Sequence, residues 1–113
     1  MAGIGSDLLR GNTDTIILRF LYEKDSYGYE INKNIRSLTD NAYELNEATL
    51  YTSFKRLEKN GWITSYWGNE NSGARRRYYR ITTEGKKAYE QNLSDWENAV
   101  KMMERLVHTD EQD

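Results

Sequence analysis

Apolar positions along this chain change their period twice, and the changes divide it into elements. In the first segment Ile16, Ile17, Phe20 and Leu21 fall on one helical face, after a cap that either Asn12 or Thr13 can supply. They predict a helix to about Glu23 with one face in the core. A break at Asp25-Ser26, either residue able to cap, precedes Ile31, Ile35 and Leu38, whose i, i+4, i+7 spacing predicts a second short helix ending near 39–41. Leu45 then leads into Asn46, a good N-cap, with Glu47 in the first turn, where the helix dipole favours a negative charge. A third helix runs from there to Asn60 and stops at Gly61.

From Trp62 the period drops to two. Residues 62–67 and 75–81 are both rich in aromatic and β-branched side chains that alternate with polar ones, and the polar cluster 68–74 between them predicts a β-hairpin. The helical period then returns. Thr82 can cap a last helix that starts at Thr83 and runs to roughly 106–108, about 39 Å long at roughly 1.5 Å per residue. The tail 109–113 is expected to fray. The expected class is mainly α with a small β-hairpin, a winged helix-turn-helix unit over 1–82 continued by a long C-terminal helix over 83–108 as one compact unit.

Composition narrows what this architecture can do. The chain has 113 residues, a length one core usually serves, and fourteen aromatics (nine Tyr, three Trp, two Phe) are too many for a disordered chain. A mean hydropathy of -0.93 with 30% charged residues leaves a small core, which a partner subunit would complete. With no cysteine and a single histidine, His108, there is no disulfide framework, no thiolate nucleophile, no His-based triad and no metal-ligand spacing. No cofactor fingerprint or paired carboxylate on a defined scaffold appears either, so an enzyme is the least favoured class. The longest aliphatic run, Ile16-Ile17-Leu18, stops at Arg19, and no basic-then-apolar leader precedes it, which points to the cytoplasm and away from a membrane.

The net charge of -2 conceals a strong asymmetry. Residues 1–32 carry three basic and five acidic groups, residues 33–80 nine and five, and residues 81–113 four and eight. The basic middle can hold an anion despite the acidic tail, because attraction acts over a Debye length of about 8 Å. In the third helix Leu50, Phe54 and Leu57 must face inward, so the opposite face shows Ala48, Thr52, Lys55 and Lys59, flanked by Thr49, Tyr51 and Arg56. Small residues let such a helix enter a major groove, hydroxyls reach phosphates or base edges, and Lys or Arg meets guanine or phosphate. The alternative is a merely solvated face. Arg75, Arg76, Arg77 and Arg80, read as lacking acidic neighbours, tilt the choice toward an anionic partner such as double-stranded DNA, against an edge strand that is only blocked by charge.

The last helix carries a second signal. Tyr89, Leu93, Trp96, Val100, Met103 and Val107 are spaced by 4, 3, 4, 3 and 4, the spacing of an interhelical seam, with Ala99, Met102 and Leu106 as a partial second stripe. One stripe would pack on the chain's own body and the other on a second copy, giving a homodimer; the alternative is a helix folded wholly onto its own first helix. Trp96 fits tight knob-and-hole packing poorly, so paired copies could wall an aromatic cavity with Val100 and Met103, or simply fill the dimer core.

Six stretches in this order resemble the PadR family of bacterial transcriptional regulators: 8–11, Ser26-Tyr27-Gly28-Tyr29-Glu30-Ile31, 44–51 (Glu-Leu-Asn-Glu-Ala-Thr-Leu-Tyr), 55–61 (Lys-Arg-Leu-Glu-Lys-Asn-Gly), Ser65-Tyr66-Trp67-Gly68 and 75–82 (Arg-Arg-Arg-Tyr-Tyr-Arg-Ile-Thr). Together they are spread, in this order, from residue 8 to residue 82. The resemblance implies a winged-helix homodimer on a palindromic promoter site, usually a repressor released by a small molecule. The single C-terminal helix with Trp96 is similar to the short branch that includes multidrug-sensing repressors of transporter genes, in which paired tryptophans sandwich flat aromatic compounds. Val100 stands where an acidic side chain would complement a cationic ligand, and Asp95, Glu97 or Glu104 could supply charge nearby. Thr52 stands where many relatives carry proline. The expected function is a sequence-specific regulator, a repressor of transporter or stress genes; the rival class is a winged-helix protein-interaction module with no operator.

Overall fold

The structure, a computed structural model, describes residues 9–68 and 75–112. Helices α1 (Thr13–Glu23), α2 (Gly28–Leu38) and α3 (Glu47–Lys59) precede antiparallel strands β1 (Ile63–Trp67) and β2 (Arg77–Ile81). Helix α4 (Thr83–Val107) follows, and a 3₁₀ turn covers Asp110–Gln112. This is the mainly α, winged helix-turn-helix order that the periodicity predicts. Leu8, the hairpin tip at 69–74 and Asp113 lie outside the described residues.

The core is the set of apolar positions that the three helical faces and the hairpin share. Ile17, Leu18 and Leu21 of α1 meet Ile31 and Ile35 of α2, Leu50, Phe54 and Leu57 of α3, and Ile63, Tyr79 and Ile81 of the strands. Each such burial contributes about 1.5–3 kcal/mol against the entropy of ordering the chain. Leu38 departs from its expected place: it is 64% exposed and lies on an apolar trough with Ile16 and Tyr43.

Where a helix end is set by residues within one turn, it falls where the sequence places it. Asn46 Oδ1 accepts the Thr49 N–H at 2.7 Å, and Thr82 Oγ1 accepts the Gly85 N–H at 3.0 Å. Gly61, at φ 77°, closes α3 with the Gly61 and Trp62 N–H groups donating to Glu58 and Leu57 carbonyls. The start of α2 differs. Neither Asp25 nor Ser26 caps it; Tyr27 holds the N-cap position without a side-chain bond. The reason is that Ser26 is committed to the sheet, its N–H and C=O exchanging bonds with Tyr79 at 3.2 and 2.8 Å, while Ser26 Oγ donates to Glu30 Oε1 at 2.6 Å. Asn12 precedes α1 but caps nothing, and Thr13 Oγ1 instead donates to the Arg10 carbonyl at 3.0 Å.

Helix α4 packs its first half on α1. Tyr22 and Tyr89 rings lie 5.1 Å apart, and Tyr22 Oη donates to Glu90 Oε2 at 2.9 Å, which raises the phenol's pKa. Tyr89 and Leu93 are half-buried, but Trp96, Val100, Met103 and Val107 are exposed, as are Met102 and Leu106 of the second stripe. Among the described residues, the chain's own body therefore covers the seam only as far as Leu93.

Candidate nucleic-acid interface

The candidate interface is built on α3. Its inward residues Leu50, Phe54 and Leu57 are buried, and Ala48, Tyr51, Thr52, Lys55, Arg56 and Lys59 are exposed, with Thr49 half-buried beside the cap. The helix is aimed by Asn32 of α2, whose side-chain amide accepts the Leu45 N–H at 2.8 Å and donates to the Leu45 carbonyl. That two-point grip ties α2 to the backbone just before Asn46, and nothing in the local pattern around Asn32 announces it.

The wing is tied to α3 through its aromatic and charged side chains. Phe54 and Tyr79 stack at 3.9 Å with planes 10° apart, and burial raises the Tyr79 pKa. Glu58 of α3 accepts from Ser65 Oγ at 2.8 Å, Ser65 accepts from Arg77 at 2.8 Å, and Arg77 lies 3.8 Å from Glu58. On the other face of the hairpin Tyr66 stacks on Tyr78 at 5.6 Å, Tyr78 meets Tyr27 edge-on at 5.2 Å, and Arg80 and Arg76 lie over Tyr66 and Tyr27. Arg75 and Arg77 both lie over Trp67.

These contacts correct the expectation that the wing arginines lack acidic neighbours. Asp25 accepts from Tyr66 Oη at 2.6 Å and from Arg80 Nε at 3.1 Å, which raises the pKa of both, and Glu58 approaches Arg77. Both carboxylates come from outside the strand that carries the arginines, so the run 75–80 could not reveal them. Arg75 and Arg76 lie just before β2 rather than in it, although Gly68 N–H still donates to the Arg76 carbonyl at 2.7 Å. Arg56 has a carboxylate too: its Nε and Nη2 donate to Asp14 of α1 at 2.8 and 2.6 Å, which raises its pKa.

Between α2, α3 and the wing runs a groove of about 910 Å³, lined by Tyr29, Asn32, Arg36, Tyr51, Phe54, Trp67, Arg77 and Tyr79. Tyr29, Tyr51 and Trp67 present exposed rings to solvent, and Lys55 Nζ lies 5.6 Å over the Tyr51 ring. Tyr29 and Trp67 line the same groove as Tyr51, one of the expected contact residues, and only their aromatic character hints at that placement. On the far side of the chain Trp96 forms a ridge. One flank faces a groove of about 470 Å³ with Asp14, Trp62, Asn92 and Asp95, and the other the apolar trough with Ile16, Leu38, Tyr89 and Leu93. Val100 and Met103 lie farther along α4 and line neither. Among the described residues no cluster could hold a metal ion and no helix is long and apolar enough to cross a membrane.

A model of the transcriptional regulator PadR-like family matches residues 17–91. A transcriptional regulator from Clostridium thermocellum is 55% identical, with a TM-score of 0.85 over 93% of this chain and 99% of that one. A PadR family transcription regulator from Clostridium difficile is 39% identical, with a TM-score of 0.74 over 86% and 99% of the two chains. An uncharacterised protein from Lysinibacillus sphaericus is 43% identical over 92% of this chain and 95% of its own.

Proposed function

The chain belongs to the transcriptional regulator PadR-like family, and from that membership we propose that it is a homodimeric, cytoplasmic, non-enzymatic repressor that binds a pseudo-palindromic DNA site. The observation that carries the DNA-binding reading is the joint exposure of Ala48, Thr52, Lys55 and Lys59 on one face of α3 beside a wing bearing Arg75, Arg76 and Arg77. The helix face enters a major groove, Thr49 and Thr52 touch base edges, and the lysines, Tyr51, Arg56 and the wing arginines meet the backbone. Two copies joined along α4 through Trp96, Val100, Met103 and Val107 place two such heads on one side of the duplex, about one helical turn apart. The uncovered far half of α4 supports that pairing.

A flat aromatic effector between the two Trp96 rings would spread the α4 helices and select against the DNA-bound spacing. The flank of Trp96 lined by Asp14, Trp62 and Asp95 supports an aromatic site there and offers carboxylates that Val100 does not. Transporter or stress genes are the targets this reading favours. Gel shifts on the region upstream of its own gene test it: wild type binds with steep salt dependence, and the Arg75/Arg76/Arg77 triple alanine variant binds weakly with a shallower slope, by about one unit for each phosphate the wing no longer neutralises. Equal binding by the two proteins would favour a protein-interaction module instead.

A further inference from the structure

The cations around α3 are not equivalent. Lys55, Lys59 and Arg75 have no carboxylate within ion-pair distance among the described residues. Arg56 is gripped by Asp14 through two hydrogen bonds of 2.8 and 2.6 Å, and its Nη2 also donates to Ser53 Oγ at 3.1 Å. Arg56 lines a groove of about 280 Å³ with Ala48, Thr49 and Thr52, on the α3 surface assigned above to DNA. Asp14, from another helix, lines the groove beside Trp96 instead. The pair thus stands between the two surfaces, and its side chains remain 48% and 24% exposed, so water and salt reach it.

A phosphate and a carboxylate offer a guanidinium the same two-oxygen fork, so they compete for one arginine. We propose that Asp14 is a competitor of the DNA phosphates for Arg56, withholding that arginine from loosely bound duplex and yielding it only where α3 is fully seated, so that Asp14 sets discrimination between specific and non-specific DNA. The proposal rests on the DNA-binding reading. A non-specific encounter leaves the backbone at variable distance, where a second-best phosphate does not displace a two-point carboxylate. A seated complex holds one phosphate in place and does.

The test uses the full chain, a duplex selected by this protein from a random pool, and an unselected random-sequence duplex of equal length, with affinity followed from 50 mM to 300 mM salt. Asp14→Asn is expected to steepen the slope on random duplex by about one unit and to raise affinity there roughly fivefold to tenfold near 100 mM salt, the effect of neutralising one further phosphate. The slope on the selected duplex should stay unchanged and its gain be smaller, so the specificity ratio falls. Asp14→Asn combined with Arg56→Ala should lose the gain. Arg56→Lys, which keeps the charge but cannot make the two-point grip, should steepen the random-duplex slope as well and guards against misfolding of the first variant, which thermal melting checks. Unchanged random-duplex slopes in both single variants, or a gain that survives in the double variant, would overturn the proposal while leaving DNA binding intact. A wild type that binds neither duplex at low salt would remove the DNA-binding reading and the proposal with it.

Discussion

Gly85 lies so close to Trp62 that a Cβ added to it would sit 2.0 Å from the Trp62 carbonyl oxygen. That carbonyl also accepts the Thr82 N–H at 2.9 Å, so α4 is seated with its first turn directly on the junction between α3 and β1. Gly85→Ala must push either the helix or the junction aside. We expect a loss of about 1–3 kcal/mol, measured by urea unfolding, with α4 tilted away from α1; an unchanged midpoint would contradict the close approach.

The caps separate helix ends that bond from ends that only look able to. Asn46→Ala and Thr82→Ala each remove a side-chain bond to a backbone N–H and should cost about 1 kcal/mol. Asn12→Ala removes no cap bond and should lie within about 0.5 kcal/mol of wild type in the same denaturation series.

Glu30 gives the protein a pH signature. The Ser26 hydroxyl holds its carboxyl below the ordinary value of 4.5, against burial and with help from Lys24. A carboxyl depressed in the folded state stabilises above its unfolded pKa, and the contribution is lost as pH falls through the folded value. Glu30→Gln should therefore melt lower than wild type at pH 7, and the gap should close as pH drops below the ordinary carboxylate value. A gap that stays constant from pH 7 to pH 3 would show that Glu30 acts only by packing.

The features legible in the sequence are those that one turn or one face contains. Asn46, Gly61 and Thr82 act on backbone within a few residues, and the faces carrying Leu50, Phe54 and Leu57 follow from period alone. The illegible ones depend on distant partners. Asp14 and Arg56 are 42 residues apart and Asp25 and Arg80 are 55, so a charge run without acidic neighbours in sequence is partly paired in space. The break before α2 misleads for the same reason: Ser26 has the chemistry of a cap, but Tyr79 claims its backbone. Leu38 keeps the right period on a turn that the described residues leave mostly exposed.

The far half of α4 makes a clean test of dimerisation. Val100 and Met103 are exposed in the single chain, so Val100→Glu and Met103→Glu should leave it folded and helical by circular dichroism. In a dimer each would bury an unpaired charge at a cost of several kcal/mol. Light scattering at micromolar concentration should report a dimer for wild type and monomers for the variants. A monomeric wild type would remove the paired arrangement.

Binding at Trp96 should be visible in its own emission. Flat neutral and cationic dyes titrated into wild type should quench tryptophan fluorescence, and Trp96→Ala should lose most of the affinity. Trp62 lines the same groove and keeps some signal in that variant, so affinity and not amplitude is the measure. Equal affinities in the two proteins would leave Trp96 as packing alone.

The Phe54–Tyr79 stack, at 3.9 Å, joins α3 directly to the wing. If that contact holds α3 and the wing at one separation when DNA is bound, the two act as a calliper on the distance between the major-groove floor and the neighbouring backbone. On the DNA-binding reading, groove width then becomes something the protein gauges at base pairs it never touches, and stiff or narrow tracts flanking the contacted bases would count for or against a site through shape alone.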